Sequence, residues 1–295
     1  MLSQALKNRV EQKLSEREHQ SVTIESHQAV AGGCINQGLQ LHTSAGSFFL
    51  KLNQAHLVDM FEAEALGLEA LQHADQFVIP EPIAFGSSDN QSYLLMTYLD
   101  FTGPVNEAVF GRSLAAMHDI TAEQFGFSSN NFIGSSRQSN RQHSDWFTFF
   151  MQERLEYQVR LLHDSGRGAE LNSLWPEFVS ACEEQFAGHQ PKPVLLHGDL
   201  WQGNVSQVGA NASLFDPAVY YGDAETDLEM LTLFGSPPRS FYDSYFSQQS
   251  EDPNRAARRD WYNLYHVLNH ANLFGGGYLN QAKAIIRQII YVTKA

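Results

Sequence analysis

The feature that most constrains this chain is a change of pattern near Leu99. Before it, β-prone runs over residues 22–30, 39–43 and 48–52 are punctuated by Gly32-Gly33, Gly38 and Gly46. Two further runs, 83–86 and 93–98, flank the turn Ser87-Ser88-Asp89-Asn90. They follow a helix expected over about 57–73, which Pro80 and Pro82 bring to a close. An opening helix is read from Leu2, Leu6, Val10 and Leu14, spaced four apart. Beyond Leu99 the pattern turns mostly helical, over about 105–118, 144–164, 170–187, 224–234, 238–247, 255–273 and 278–292. The expected fold class is α+β. A strand-rich lobe, residues 1–98, is joined by a short hinge to a mainly helical lobe, residues 99–295, with the ligand cleft between them.

Three short β-prone pieces interrupt the helical part, at 194–196, 205–208 and 213–215. The first delivers the run His197-Gly198-Asp199-Leu200-Trp201-Gln202-Gly203-Asn204 onto a loop. A carboxylate and an amide five residues apart suit phosphoryl transfer to a hydroxyl. One orients and deprotonates the attacking oxygen, and the other offers oxygen to Mg²⁺. The protein-kinase catalytic loop has this same Asp-to-Asn separation. Twelve residues on, Asp216 stands at the end of an apolar run, where the main metal ligand is expected; Pro217 keeps that run from continuing as a central strand. Alone, a His-Gly-Asp is most often an ordinary turn. The specificity lies in the combination.

The first lobe supplies partners for a nucleotide. Gly32, Gly33 and Cys34 lie between two predicted strands, where glycine lets backbone approach phosphate. Gly33 and Gly38 have the spacing of a Walker loop, but Leu39-Gln40 stands where Lys-Ser/Thr belongs, so a P-loop is excluded. Lys51 lies on the next strand, and Glu64 thirteen residues later on a helix. A strand lysine paired to a helix glutamate is how kinases hold nucleotide phosphates. A thiol at Cys34 on an exposed flap would be open to oxidation.

A net charge of −14 gives no basic footprint for nucleic acid and disfavours anionic lipid, while it suits a cationic substrate. Cys34 and Cys182 are too few for a disulfide framework or a zinc cluster. The N-terminus is polar, and no stretch approaches the roughly 20 apolar residues of a membrane span. A cytoplasmic protein is expected, on which view the sequons at Asn204 and Asn211 are accidental. Nothing in the sequence specifies an oligomeric state.

The chain resembles the fructosamine kinase (ketosamine-3-kinase) family, within the aminoglycoside-phosphotransferase and choline-kinase-like group. The resemblance rests on His-Gly-Asp-Leu-Trp-x-Gly-Asn at 197–204 and on the run Phe215-Asp216-Pro217-Ala218-Val219-Tyr220-Tyr221-Gly222-Asp223-Ala224-Glu225-Thr226-Asp227. Gly32-Gly33-Cys34-Ile35, Phe125-Gly126-Phe127, Asp145-Trp146-Phe147 and Asn269-His270-x-Asn272-Leu273-Phe274-Gly275 add to it, and the match runs nearly end to end. Asn140-Arg141-Gln142 departs from the family's Asn-x-Trp.

The resemblance implies a protein-kinase-like fold and ATP-dependent phosphorylation, at the 3-position, of a sugar hydroxyl on a free ketosamine or a glycated lysine. Asp199 would be the base, Asn204 and Asp216 would hold Mg²⁺, and Lys51 with Glu64 would clamp phosphate. Met96, Tyr98 and Leu99 would form the adenine hinge, and His197 and Asp227 would brace the loop. Trp201 and Tyr220 either stack on sugar or are core aromatics. Asp223 or Glu225 is a candidate for the substrate amine, and Glu229 reads as a surface charge. His266 and His270, four apart on a helix, have metal-ligand spacing but lack the zinc-protease glutamate, so packing or surface roles are expected. Rival readings are another hydroxyl acceptor, such as an aminoglycoside or choline, and a nucleotide-binding pseudokinase.

Overall fold

Helix α1 (Gln4–Glu18) begins at Ser3, whose hydroxyl accepts from the Leu6 N–H at 3.1 Å. Leu6, Val10 and Leu14 are completely buried. Each such burial is worth roughly 1.5–3 kcal/mol, so packing rather than intrinsic propensity holds the helix. In the computed structural model, which describes residues 2–30 and 35–294, α1 covers one face of an antiparallel sheet. Its strands are β1 (Ile24–Val30), β2 (Gln37–Thr43), β3 (Gly46–Gln54), β4 (Pro82–Ser88) and β5 (Gln91–Thr97), in the order β1-β2-β3-β5-β4. Helix α2 (Val58–Leu71) covers the other face.

Side-chain alternation along the strands sorts the two faces. Leu39, Leu41, Leu50, Leu52, Tyr93 and Leu95 join the α1 cluster. Leu94 and Met96 join Phe61, Ala65 and Leu68 of α2. Lys51 stands between Leu50 and Leu52, so the pleat turns it to the α2 side.

The remainder is helical around a dense aromatic core. Its elements are α3 (Glu107–Met117), the small ribbon β6 (Asn131–Ile133) and β7 (Ser136–Gln138), then α4 (Trp146–Phe149). A π-helical segment (Phe150–Leu155) leads from α4 into α5 (Glu156–Asp164), followed by α6 (Trp175–Gln185). The wider π turn brings both Glu153 and Arg154 inward, where they are buried. Trp261 packs between Phe150 and Phe186, with ring centroids 4.3 and 3.7 Å away.

Four short strands frame what lies beneath the first sheet. β8 (Val194–Leu196) pairs with β11 (Tyr220–Gly222), and β9 (Val205–Val208) pairs with β10 (Asn211–Leu214). The expected runs at 194–196, 205–208 and 213–215 form strands, and β11 is an addition that the sequence pattern does not separate from the motif around it. Helices α7 (Glu225–Met230), α8 (Arg239–Phe246), α9 (Arg255–Phe274) and α10 (Tyr278–Thr293) complete the chain. The architecture is a strand-rich lobe over a mainly helical one. Among the described residues, no helix is long and apolar enough to cross a membrane.

Candidate active site

Strand β8 ends at Leu196 and the chain turns at once. Gly198 makes that turn possible: its φ is 80°, and a Cβ there would sit 2.1 Å from the Ala218 carbonyl oxygen. The N–H groups of His197 and Gly198 donate to Oδ2 and Oδ1 of Asp227, at 2.8 and 3.0 Å. Asp227 is buried on α7, and Nε2 of His118 approaches its Oδ2 at 3.5 Å. Nε2 of His197 donates to the Phe215 carbonyl at 3.0 Å, and its Nδ1 accepts from the Asp199 N–H at 3.3 Å. Those two bonds require the neutral ring, and burial indeed holds its pKa below the usual value.

The loop and the β9–β10 hairpin bring three polar side chains together. Asn204 donates from Nδ2 to the main-chain oxygen of Asp199 at 2.9 Å, and more distantly to its Oδ2 at 3.4 Å and to the Asp216 carbonyl at 3.5 Å. Oδ1 of Asn204 accepts no hydrogen bond from the described residues. Asp216 stands two residues beyond the end of β10 and adopts a left-handed φ of 58°, just before Pro217. Aspartate tolerates that region better than most residues, and such strain collects at functional sites.

From above, Nζ of Lys51 reaches Glu64 at 2.5 Å and also bonds Oδ1 of Asp216. Burial lowers the Lys51 pKa, but the Asp216 and Glu64 carboxylates more than reverse it and leave it raised. Asp199 is pushed up to about 7, by burial first and then by the neighbouring Asp216 carboxylate. The donor set here is all oxygen and crowded with negative charge. It fits a hard divalent cation; among the described residues Asp216 Oδ2, Asn204 Oδ1 and Asp199 Oδ1 accept no hydrogen bond.

These groups open onto a cavity of about 640 Å³ between the first sheet and the helical part. Met96, Tyr98 and Leu99 line it, and Phe101 joins them, stacked on Phe215 with centroids 5.2 Å apart. Gly32, Gly33 and Cys34 lie outside the described residues; Val30 and Ile35, which bracket them, both line the cavity. Trp201 lies over Gly203, where a Cβ would meet the indole at 2.1 Å, and is still 39% exposed.

Three candidate substrate residues are elsewhere. Tyr220 is completely buried, with the Arg154 guanidinium 4.0 Å above its ring. Asp223 accepts from Nε2 of His189 at 2.6 Å and from the Tyr262 hydroxyl. Glu225 takes Nε of Arg258 at 2.7 Å. None of the three lines the cavity: Asp223 and Glu225 are spent on hydrogen-bonding partners, and Tyr220 is packed in the core. The same holds for Glu229, expected at the surface but buried against Arg255. Asn140 is also internal, bonded to Asn131 at 2.9 Å and to Arg154 at 2.7 Å.

Sequence reasoning missed the far wall of the cavity. Phe234, His270, Phe274 and Tyr278 line it. His270, expected to pack or to face solvent, is thus a cavity residue. The available signals are the run from Asn269 to Gly275, already part of the resemblance, and the spacing of His270 and Phe274, which puts both on one face of α9.

Comparison with known proteins agrees with this geometry. The family model described as fructosamine kinase matches residues 6–292. A probable ketoamine kinase of Synechocystis is 41% identical over 288 residues, covering 96% of each chain. A chloroplastic protein-ribulosamine 3-kinase of Arabidopsis thaliana is 40% identical, covering 90% of this chain and 83% of its own. A solved structure from Haemophilus somnus, provisionally named fructosamine-3-kinase, superposes with a TM-score of 0.85 at 26% identity, covering 95% of this chain and 96% of its own. An aminoglycoside phosphotransferase shares the fold, with a TM-score of 0.57 at 16% identity, covering 98% of this chain and 99% of its own.

Proposed function

This chain belongs to the fructosamine kinase family, and from that premise we propose that it transfers a phosphoryl group from ATP to the sugar 3-hydroxyl of a ketosamine. It is a phosphotransferase with an alcohol acceptor. The relatives named ketoamine kinase and protein-ribulosamine 3-kinase support an amine-linked sugar as that acceptor. The single observation that carries the reading is the convergence of Asp199, Asn204, Asp216 and the Lys51–Glu64 pair on one cavity.

In this reading the strand-rich lobe, residues 1–98, holds nucleotide, with the adenine against Met96, Tyr98 and Leu99. Residues 99–295 supply the reacting groups. Lys51 holds phosphate, and Glu64 keeps the lysine aimed. Asp199 accepts the hydrogen bond, then the proton, of the attacking hydroxyl; a pKa well above the ordinary aspartate value makes it a competent acceptor near neutrality. Asp216 and Asn204 would hold Mg²⁺, whose chemistry is to neutralise charge on the transferring group. Asp227 and His197 keep the loop in place through its own backbone, so Asp199 needs no rearrangement to act.

The test is ADP formation across fructosamines, ribulosamines and erythrulosamines, free and on lysine. ADP release that depends on one of these acceptors is expected. Release indifferent to every ketosamine would refute the assignment.

A further inference from the structure

The carboxylates expected to meet the substrate amine are turned to other partners, Asp223 to His189 and Tyr262 and Glu225 to Arg258, which leaves open what does meet it. Among the described residues, the carboxylates that line the cavity are Glu64, Asp199 and Asp216. In the ketosamine reading all three are already engaged. Glu64 steadies Lys51, Asp199 takes the hydroxyl proton, and Asp216 holds the metal. The amine-bearing arm of the acceptor therefore needs a different partner.

The structure offers a continuous row of rings at the cavity wall beside Asp199. Trp201 meets Phe234 edge-on with centroids 5.7 Å apart. Phe234 meets His270 at 5.7 Å, and His270 meets Phe274 at 5.7 Å. Phe234 and Phe274 are 53% and 56% exposed, which is costly for phenylalanine unless something covers it. The row is also anchored. Gln202 on the catalytic loop donates from Nε2 to the Gly235 carbonyl at 3.0 Å, tying the Phe234 segment to the loop that carries Asp199. His270 and Phe274 share one face of α9.

We propose that Phe234, His270 and Phe274 form a subsite for the alkylammonium arm on which the acceptor sugar is carried, a lysine side chain being the arm that fits best. The inference rests on the ketosamine reading and deepens it. Aromatic faces attract an ammonium and bury the methylenes attached to it. Desolvation keeps the His270 ring neutral, so the row carries no charge that would repel a cation. The net charge of −14 favours the same ligand. The exposed edge of the row leaves room for an arm that continues into a peptide.

The experiment compares two acceptors with the full chain and MgATP: the ribulosamine of Nα-blocked lysine and the ribulosamine of ethanolamine, whose arm is too short to cross the row. For Phe234→Ala and Phe274→Ala, kcat/KM on the lysine acceptor should fall about tenfold relative to the ethanolamine acceptor, through KM rather than kcat. Phe274→Leu, which keeps bulk but loses the ring, should fall between. Phe85→Ala, an exposed phenylalanine on β4 away from the cavity, should leave the ratio unchanged. An unchanged ratio in both Phe234→Ala and Phe274→Ala, with melting temperatures intact, overturns the lysine-arm subsite, even where both acceptors weaken equally through the ammonium they share, and leaves the kinase reading standing. Native enzyme inactive on both ribulosamines and on every other ketosamine overturns the two together.

Discussion

Asp199 is held close to Asp216 with Asn204 wedged against both, so its charge is useful for chemistry and unfavourable for stability. Its folded pKa, near 7, lies above the ordinary aspartate value. The native state therefore binds the extra proton more tightly than the unfolded chain, and ionising the group costs stability as pH rises through 7. Asp199→Asn should lose at least about a hundredfold in kcat while still binding ATP. At pH 8 it should melt no lower than the native protein, measured by calorimetry. A clear fall in melting temperature would mean that Asp199 serves the fold rather than the reaction. At this scale much was legible: Asp199, Asn204 and Asp216 stand at informative separations on one short stretch. Asp223 and Glu225 misled because burial is not written in residue type, whereas Tyr220 lies in the core, one of its two readings. An acidic residue every second position looks solvated until Arg258, His189 and Tyr262, all distant in sequence, are folded against it.

The catalytic loop is an element whose shape is set by one glycine and one aspartate. Gly198 has no room for a side chain beside Ala218, and its N–H donates to Asp227. Gly198→Ala must therefore move the loop or strain it. The variant should lose at least about 2 kcal/mol in denaturant unfolding and most of its turnover. Native stability and activity in that variant would contradict the described turn. The β8 run and the β9–β10 hairpin could be anticipated, because each is a local apolar pattern with a turn beside it. Strand β11 could not: Tyr220–Gly222 is only three residues long and becomes a strand by pairing with Val194–Leu196. The π segment in Phe150–Leu155 was hidden for a related reason. A helical period continues through it, and only the inward Arg154, fixed by Tyr220 and Asn140, reveals the extra residue in the turn.

For the whole molecule, the two layers meet through the cavity and through the bond from Lys51 on β3 to Asp216 beyond β10. A ligand that fills this cleft should stabilise both layers at once. Saturating MgATP, at about 100 times its Kd, should add roughly 2.7 kcal/mol and raise the melting temperature by several degrees. Chelating the metal should remove most of the gain. A shift of equal size with and without divalent cation would argue against Asp216 and Asn204 as its ligands. The lobe plan was readable because strand and helix periods differ sharply on either side of Leu99. The aromatic wall was not, since Trp201, Phe234 and the His270–Tyr278 stretch come from separate segments that only packing unites.

The central claim is phosphoryl transfer from ATP to a ketosamine hydroxyl with Asp199 as base. Phosphorus NMR of a reaction mixture holding MgATP and a ribulosamine tests it most directly. The native enzyme should produce one new phosphate monoester on the acceptor for each ADP formed, and Asp199→Asn should produce neither at a comparable rate. ADP with no phosphorylated acceptor, or the same ester at native speed from Asp199→Asn, would contradict it.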